Sequence, residues 1–181
     1  MTGNKLQLPA AFLPALHSAL ATERSAVETA TLLREVGYAT GAAVSAQFER
    51  WLTEHERGAV PGSLPAEEFW PALDEFFQET GWGSLRHVAL HPGVGALDSS
   101  DWAEVLPESG AFQPSCHLSV GMLAEVLGRV ASGGVAVLEV ECRSRGDARC
   151  RHLFGGEEAL RSVFEQASAG QSYTDGIAHL G

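Results

Sequence analysis

Basic charge is scarce in this chain of 181 residues: twelve lysines and arginines stand against twenty-three acids, a formal net charge of −11. Affinity for nucleic acid rests on cations that neutralise phosphates, so this balance argues for no nucleic-acid partner. It argues equally for no membrane partner, since anionic lipid surfaces attract basic segments. Long apolar runs are also missing, with none approaching the about 20 residues that span a bilayer. Met1 to Pro9 holds one lysine and no apolar core, which reads as the absence of a secretory leader. Cysteine is sparse, and its count of three is odd, which suits a reducing cytoplasm better than a disulfide framework. The G-x-S-x-G elbow, the P-loop, a G-x-G-x-x-G after a strand and H-E-x-x-H are all absent, so no enzyme is expected.

What is present is an ordinary globular composition, 45% hydrophobic and 19% charged, in a length that suits one domain with its own core. Residues 10–37 read as helical, with Gly37 as a stop, and a second helical pattern follows through Val44, Phe48, Trp51 and Leu52. A third helix spans 66–80, its regular part beginning at Pro71, with a buried stripe of Phe69, Leu73, Phe76 and Phe77. Leu85 to Leu90 reads as a strand, Pro92 to Gly95 as a turn and Asp98 to Pro114 as irregular. The helix from Cys116 to Ala131, with Ser115 as its N-cap, is apolar nearly all round and therefore central. Val135 to Cys142 and Cys150 to Phe154 form a hairpin, Glu157 to Ala167 a closing helix. The expected fold is α+β: N-terminal helices packed on a small antiparallel sheet with an embedded central helix. Three segments follow: a helical extension over 1–30 that could dimerise, a domain over 31–167, and a loosely ordered tail over 168–181.

All three cysteines fall within the 35 residues from Cys116 to Cys150, and Glu139 falls in step with them as C-x22-E-x2-C-x7-C. Three thiolates and a carboxylate are the four ligands of a closed tetrahedral zinc site, and sulfur favours zinc over magnesium, calcium or manganese. Glu139 shares a strand face with Val137 and Val135, whereas Glu141 sits directly beside Cys142. An apolar neighbourhood obliges a buried carboxylate to pair or to bind metal, so Glu139 is the ligand and Glu141 its solvated neighbour. Arg143, Arg145, Arg149 and Arg151 read as a cationic shell around the sulfurs. Competing readings are a Cys142–Cys150 disulfide and three inert core thiols, with His117 and His152 as rival fourth ligands.

The runs Cys116-His117-Leu118-Ser119-Val120-Gly121, Leu138-Glu139-Val140-Glu141-Cys142 and Gly146-Asp147-Ala148-Arg149-Cys150-Arg151 resemble the C-terminal half of the 4-vinyl reductase domain family. That family includes the sensory domains of phenol- and xylene-responsive transcription activators and is related to vesicle-tethering TRAPP subunits. The resemblance covers roughly residues 30–155. It implies a structural zinc on Cys116, Glu139, Cys142 and Cys150, and a buried pocket for a small apolar molecule nearby. Trp82 and Trp102 are candidate pocket walls, together with Val120, Val126 and Val137. Those aliphatic side chains lead us to expect a hydrocarbon-like or weakly polar ligand in preference to phenol. The ATPase and DNA-binding parts of the activators have no counterpart, which implies a stand-alone module. The alternatives from other classes are an interaction scaffold resembling the TRAPP subunits and an assembly factor in tetrapyrrole reduction. Leu6, Leu8, Phe12, Leu13, Leu16 and Leu20 form an apolar N-terminal stripe whose expected cover is a second subunit, making a homodimer.

Overall fold

The computed structural model describes residues 8–9, 11–58, 60–106 and 110–180. Six α-helices run in chain order: α1 Phe12–Glu23, α2 Ala26–Glu54, α3 Ala66–Glu79, α4 His117–Ala131, α5 Glu157–Ser168 and α6 Tyr173–Ala178. Four strands, β1 Arg86–His91, β2 Val94–Ser99, β3 Ala136–Glu141 and β4 Cys150–Gly155, form one antiparallel sheet in the order β1-β2-β4-β3. The fold is α+β, as the pattern of elements implied. No helix among the described residues is long and apolar enough to cross a membrane.

The sheet divides the core in two. On one face Leu97, Cys150 and Phe154 meet α3 and α4 through Phe69, Leu73, Phe76, Phe77, Met122, Leu123 and Val126. On the other, Val94, Ala96 and Leu153 meet α5 and α6 through Leu160, Val163 and Ile177. α4 is buried along most of its length, as its all-round apolarity required.

Several local expectations are corrected. The reading of 10–37 as one helix fails at Arg24, whose extended backbone (φ −139°, ψ 157°) separates α1 from α2. Ser25 then opens α2 with a reciprocal cap: the Glu28 amide donates to Ser25 Oγ, and the Ser25 amide donates to Glu28 Oε2. That S-x-x-E signal was in the sequence and outweighs the continuous apolar spacing. A division at 30/31 therefore falls inside α2 rather than between domains. Gly37 does not stop a helix, because α2 runs on for 29 residues. A Cβ at Gly37 would lie 2.0 Å from the Leu118 carbonyl oxygen, and one at Gly121 2.0 Å from the Arg34 carbonyl oxygen. The glycines permit α2 and α4 to cross backbone against backbone, a use of the missing side chain that outweighs its helix cost of about 1 kcal/mol.

α3 begins at Ala66, five residues ahead of Pro71. β2 occupies a segment read as turn and irregular chain, because Gly95 and Ala96 carry little strand propensity. Gly95 is there because the Phe154 ring lies across it, 2.3 Å from where its Cβ would stand. The tail read as loose instead ends in α6, whose Ile177 is buried and whose Tyr173 hydroxyl bonds Glu141 and accepts from Arg151. Leu6 of the N-terminal stripe lies outside the described residues; Leu8 and Phe12 are exposed.

Candidate metal centre

Four side chains from three elements converge under the N-terminus of α4. Cys116 is itself the N-cap of α4, the place assigned above to Ser115. Glu139 comes from the middle of β3, Cys142 from the residue after it, and Cys150 opens β4. Glu139 and Cys142 are three apart on one strand, and regular alternation would send them to opposite faces. A bulge between Glu139 and Glu141 resolves this, since Glu139 pairs with His152 while Glu141 pairs with Arg151. The extra residue turns Glu139 and Cys142 to the inner face and Glu141 to the outer one. The choice between the two glutamates thus agrees with the fold, although plain alternation could not have justified it.

The ligand atoms of these four residues all lie within 4.8 Å of one another. Cys116 Sγ is 3.9 Å from both Cys142 Sγ and Cys150 Sγ. A disulfide needs about 2.05 Å, and all three cysteines are free. A tetrahedral ion with metal–sulfur bonds of about 2.3 Å spaces its sulfurs about 3.8 Å apart, which these distances match. The three cysteines are fully buried and Glu139 is 7% exposed. Glu139 Oε2 accepts the Cys116 amide at 2.8 Å, whereas Oε1 is buried without a hydrogen-bond partner. A buried orphan oxygen facing three sulfurs is the donor a cation would satisfy.

The electrostatics lead to the same conclusion. Burial, followed by the neighbouring Cys142 sulfur, pushes the Glu139 carboxyl up to about 9. Hydrogen bonding to Cys142 and Cys150, with burial added, pushes the Cys116 thiol up as well. Cys142 is pushed down, because the other two thiols donate to it, helped by the Ser115 amide and the Ser144 hydroxyl. Among protein groups alone the cluster therefore holds about one negative charge. Four deprotonated ligands require a cation.

Other expectations about the site need revision. The four arginines do not gather on the sulfurs through their side chains. Arg149 binds Glu141 at 2.9 Å, Arg151 binds Asp98 at 2.7 Å, and Arg145 binds Asp147 at 2.7 Å. Arg145 and Asp147 brace the ligand loop, because Asp147 Oδ2 also accepts the Cys142 amide at 2.7 Å. Arg143 contributes through its backbone amide, which donates to Cys150. His117 is half-buried and faces Arg34, Glu104 and His17, away from the sulfurs. His152 is completely buried, with Nε2 3.9 Å from Glu139 Oε1 and neither ring nitrogen hydrogen-bonded. Burial lowers its pKa to about 4, so the ring is neutral at physiological pH.

Of the suggested pocket residues, Trp102 and Val126 are buried in the core beside the cluster, and Trp82 and Val137 pack against that same core. Val120 is half-buried on α4 and stands outside this group. Trp102 is ringed by Phe77 at 5.5 Å, Trp82 at 5.7 Å and His152 at 6.4 Å, centroid to centroid. Two clefts, of about 360 and 300 Å³, open elsewhere: one on Glu49, Arg50, Thr53 and Glu54, the other between Arg57, Leu64 and Glu75. Neither borders these residues.

Glu104 went unnoticed in the sequence. It is fully buried and accepts the amides of Leu118 at 2.8 Å and Ser119 at 2.7 Å, the Ser119 hydroxyl, and a contact from His17 Nε2 at 3.1 Å. It lies in an irregular segment with no periodicity, and its partners are distant in sequence, so no local signal could expose it.

The helix-flanked antiparallel sheet is an α+β arrangement shared with sensory and vesicle-tethering domains, and one family model matches the part of the chain that carries the cluster. Residues 102–155, which contain all four clustered residues, match the model of the 4-vinyl reductase domain. No curated protein matches the chain. The fold is similar to the phenol-responsive sensory domain of the transcription activator PoxR, solved with phenol. The two are 15% identical with a TM-score of 0.65, over 92% of this chain and 83% of that one. It is similar to a trafficking protein particle complex subunit 3 from Naegleria fowleri, covalently bound to palmitic acid, with 13% identity and a TM-score of 0.64 over 81% and 91%. A vinyl-4-reductase family protein from Methanocaldococcus jannaschii is 18% identical, with a TM-score of 0.51 over 83% of each chain.

Proposed function

We propose that this chain is a non-catalytic, cytoplasmic module that binds or senses a small apolar molecule, stabilised by one zinc ion and working as a homodimer. The observation that carries the reading is the convergence of Cys116, Glu139, Cys142 and Cys150, with Glu139 Oε1 left free toward the sulfurs. Zinc bound there would tie α4 to the β3–β4 hairpin and keep the thiols ionised. With four protein donors it would leave no position for substrate, which suits a structural role rather than catalysis. The ligand would lodge in the interior beside this centre. There Trp102, Trp82, Phe77 and Val137 offer apolar surface, and neutral His152 offers one unpartnered donor and one unpartnered acceptor. That composition suits a largely hydrocarbon ligand with at most one hydroxyl.

The PoxR domain was solved with phenol and the trafficking subunit with palmitic acid, and both lend the reading support. Native mass spectrometry of protein purified without added ligand reads metal, co-purified molecule and oligomeric state together. We expect one zinc per chain and a dimer. A thermal-shift series of alkylbenzenes, aromatic alcohols and fatty acids should give at least one saturable stabilisation, with phenol itself weak. Metal content below a few tenths of an equivalent refutes the zinc.

A second reading, an interaction scaffold, is favoured by the tight packing of the interior, where Trp102 is 2% and Val126 1% exposed. It predicts no thermal shift with any ligand and a Val126→Phe variant that keeps its partners.

A further inference from the structure

α1 is tied to the rest of the protein in an unusual way. Of its twelve residues only His17 is buried. Phe12 is 41% exposed, and the remaining apolar side chains of α1 are at best half-buried. Among the described residues, the sole side-chain hydrogen bond leaving the helix is His17 Nε2 to Glu104 Oε1, at 3.1 Å. A helix that buries so little apolar area gains little from the hydrophobic effect. Its attachment therefore leans on one polar contact, and that contact ends on a completely buried carboxylate.

The same carboxylate closes the first turn of α4. Every helix start leaves amides without partners inside the helix, and here two buried glutamates share them. Glu139 Oε2 takes the amide of Cys116, and Glu104 takes those of Leu118 and Ser119. Trp102 Nε1 donates to Ser119 Oγ at 2.6 Å and fixes the hydroxyl that in turn bonds Glu104. Cys116, whose sulfur belongs to the metal cluster, is thus held from one side by Glu139. The turn it begins is held from the other side by the acid that His17 grips.

We propose that α1 is a releasable strap, latched by His17 on Glu104, and that its latching is coupled to the metal centre through the first turn of α4. An ion on Cys116 and Glu139 fixes that turn and presents the Glu104 carboxylate to His17 in one position. Without the ion the turn loosens and the latch weakens. Coupling between two sites is reciprocal, so releasing His17 must loosen the ion by the same factor. The strap swings on the extended residue Arg24, ahead of the rigid cap of α2. This gives the module an output: the position of its N-terminal helix reports the state of its interior. The coupling rests on the metal reading above, whereas the latch itself does not.

Hydrogen exchange of the full chain, read by mass spectrometry, tests both parts in zinc-loaded and chelator-stripped protein. His17→Ala should speed exchange over 12–23 by tenfold or more and leave α5 unchanged. Stripping zinc from the parent should speed exchange over 12–23 as well. Transfer of zinc to a chromophoric chelator should be at least threefold faster from His17→Ala. His17→Gln, whose amide can still donate to the carboxylate, should restore both readouts in part. Unchanged exchange over 12–23 in His17→Ala overturns the latch. Loosened α1 with an unchanged zinc transfer rate overturns the coupling. A parent that binds no zinc overturns the metal reading and the coupling with it, while the latch is still read from exchange.

Discussion

Replacing Glu139 by glutamine changes one atom in the buried cluster and should separate a ligand from a neighbour. In the parent, Oε2 accepts the Cys116 amide and Oε1 has no partner but the cation it would bind. An amide cannot serve both roles. If its oxygen faces Cys116, the NH2 group points at the ion; if its oxygen faces the ion, NH2 meets N–H. One contact is lost in either orientation, at about 1–3 kcal/mol for a buried neutral group and more for a charged one. At about 1.4 kcal/mol per factor of ten, zinc affinity should fall by about 100-fold. Metal-free protein should hardly notice, because its Glu139 carboxyl, pushed up to about 9, is already protonated at neutral pH and the amide imitates it. Glu141→Gln is the control. Glu141 lies on the outer face with Arg149 and Tyr173, where a partly solvated pair contributes about 0–1 kcal/mol. Competition against a chelator of known affinity reads the metal, and melting with and without zinc reads the stability. The reasoning fails if Glu141→Gln loosens zinc as much as Glu139→Gln, or if Glu139→Gln destabilises the metal-free protein as strongly as the loaded one.

Zinc binding at neutral pH should release about three protons, from Cys116, Cys150 and Glu139, because all three are pushed up while Cys142 is already ionised. Titration calorimetry in buffers of different ionisation enthalpy counts them, and a release near zero would contradict the protonation pattern. His152 gives a second pH signature. Its folded pKa of about 4 lies below the unfolded value of 6.5, so the unfolded chain binds the extra proton between those limits. Stability should fall as pH drops from 6.5 toward 4, by about 3 kcal/mol from this group. Urea unfolding of metal-free parent and His152→Leu should differ by that slope, and parallel pH profiles would refute it.

The sequence disclosed the fold class and the four clustered residues for different reasons. Apolar period and turn residues are local signals, so α3, α4 and the hairpin appeared near their places. The cluster was legible because cysteine is rare here and its spacing with Glu139 unusual. The misread elements are those whose reasons are tertiary. Gly37 looks like a terminator until Leu118 is seen against it, and Gly95 looks like a turn until Phe154 covers it. Glu104 and His17 are 87 residues apart and have no meaning until the chain brings them together. The bulge at Val140 was implicit in the odd separation of two ligands on one strand, but it became visible only in the pairing.

The glycine crossing of α2 and α4 also restricts how the protein can move. Where side chains separate two helices, rotamer changes allow them to slide past each other. Here carbonyl oxygens of one helix lie against the glycine Cα atoms of the other, and no side chain is present to yield. α2 and α4 must travel as one body, a strut about 43 Å long by the rise of 29 residues. Any opening of the interior has to come from the pieces leaning on that strut, which are α3 on its aromatic side and α1 at its latched end.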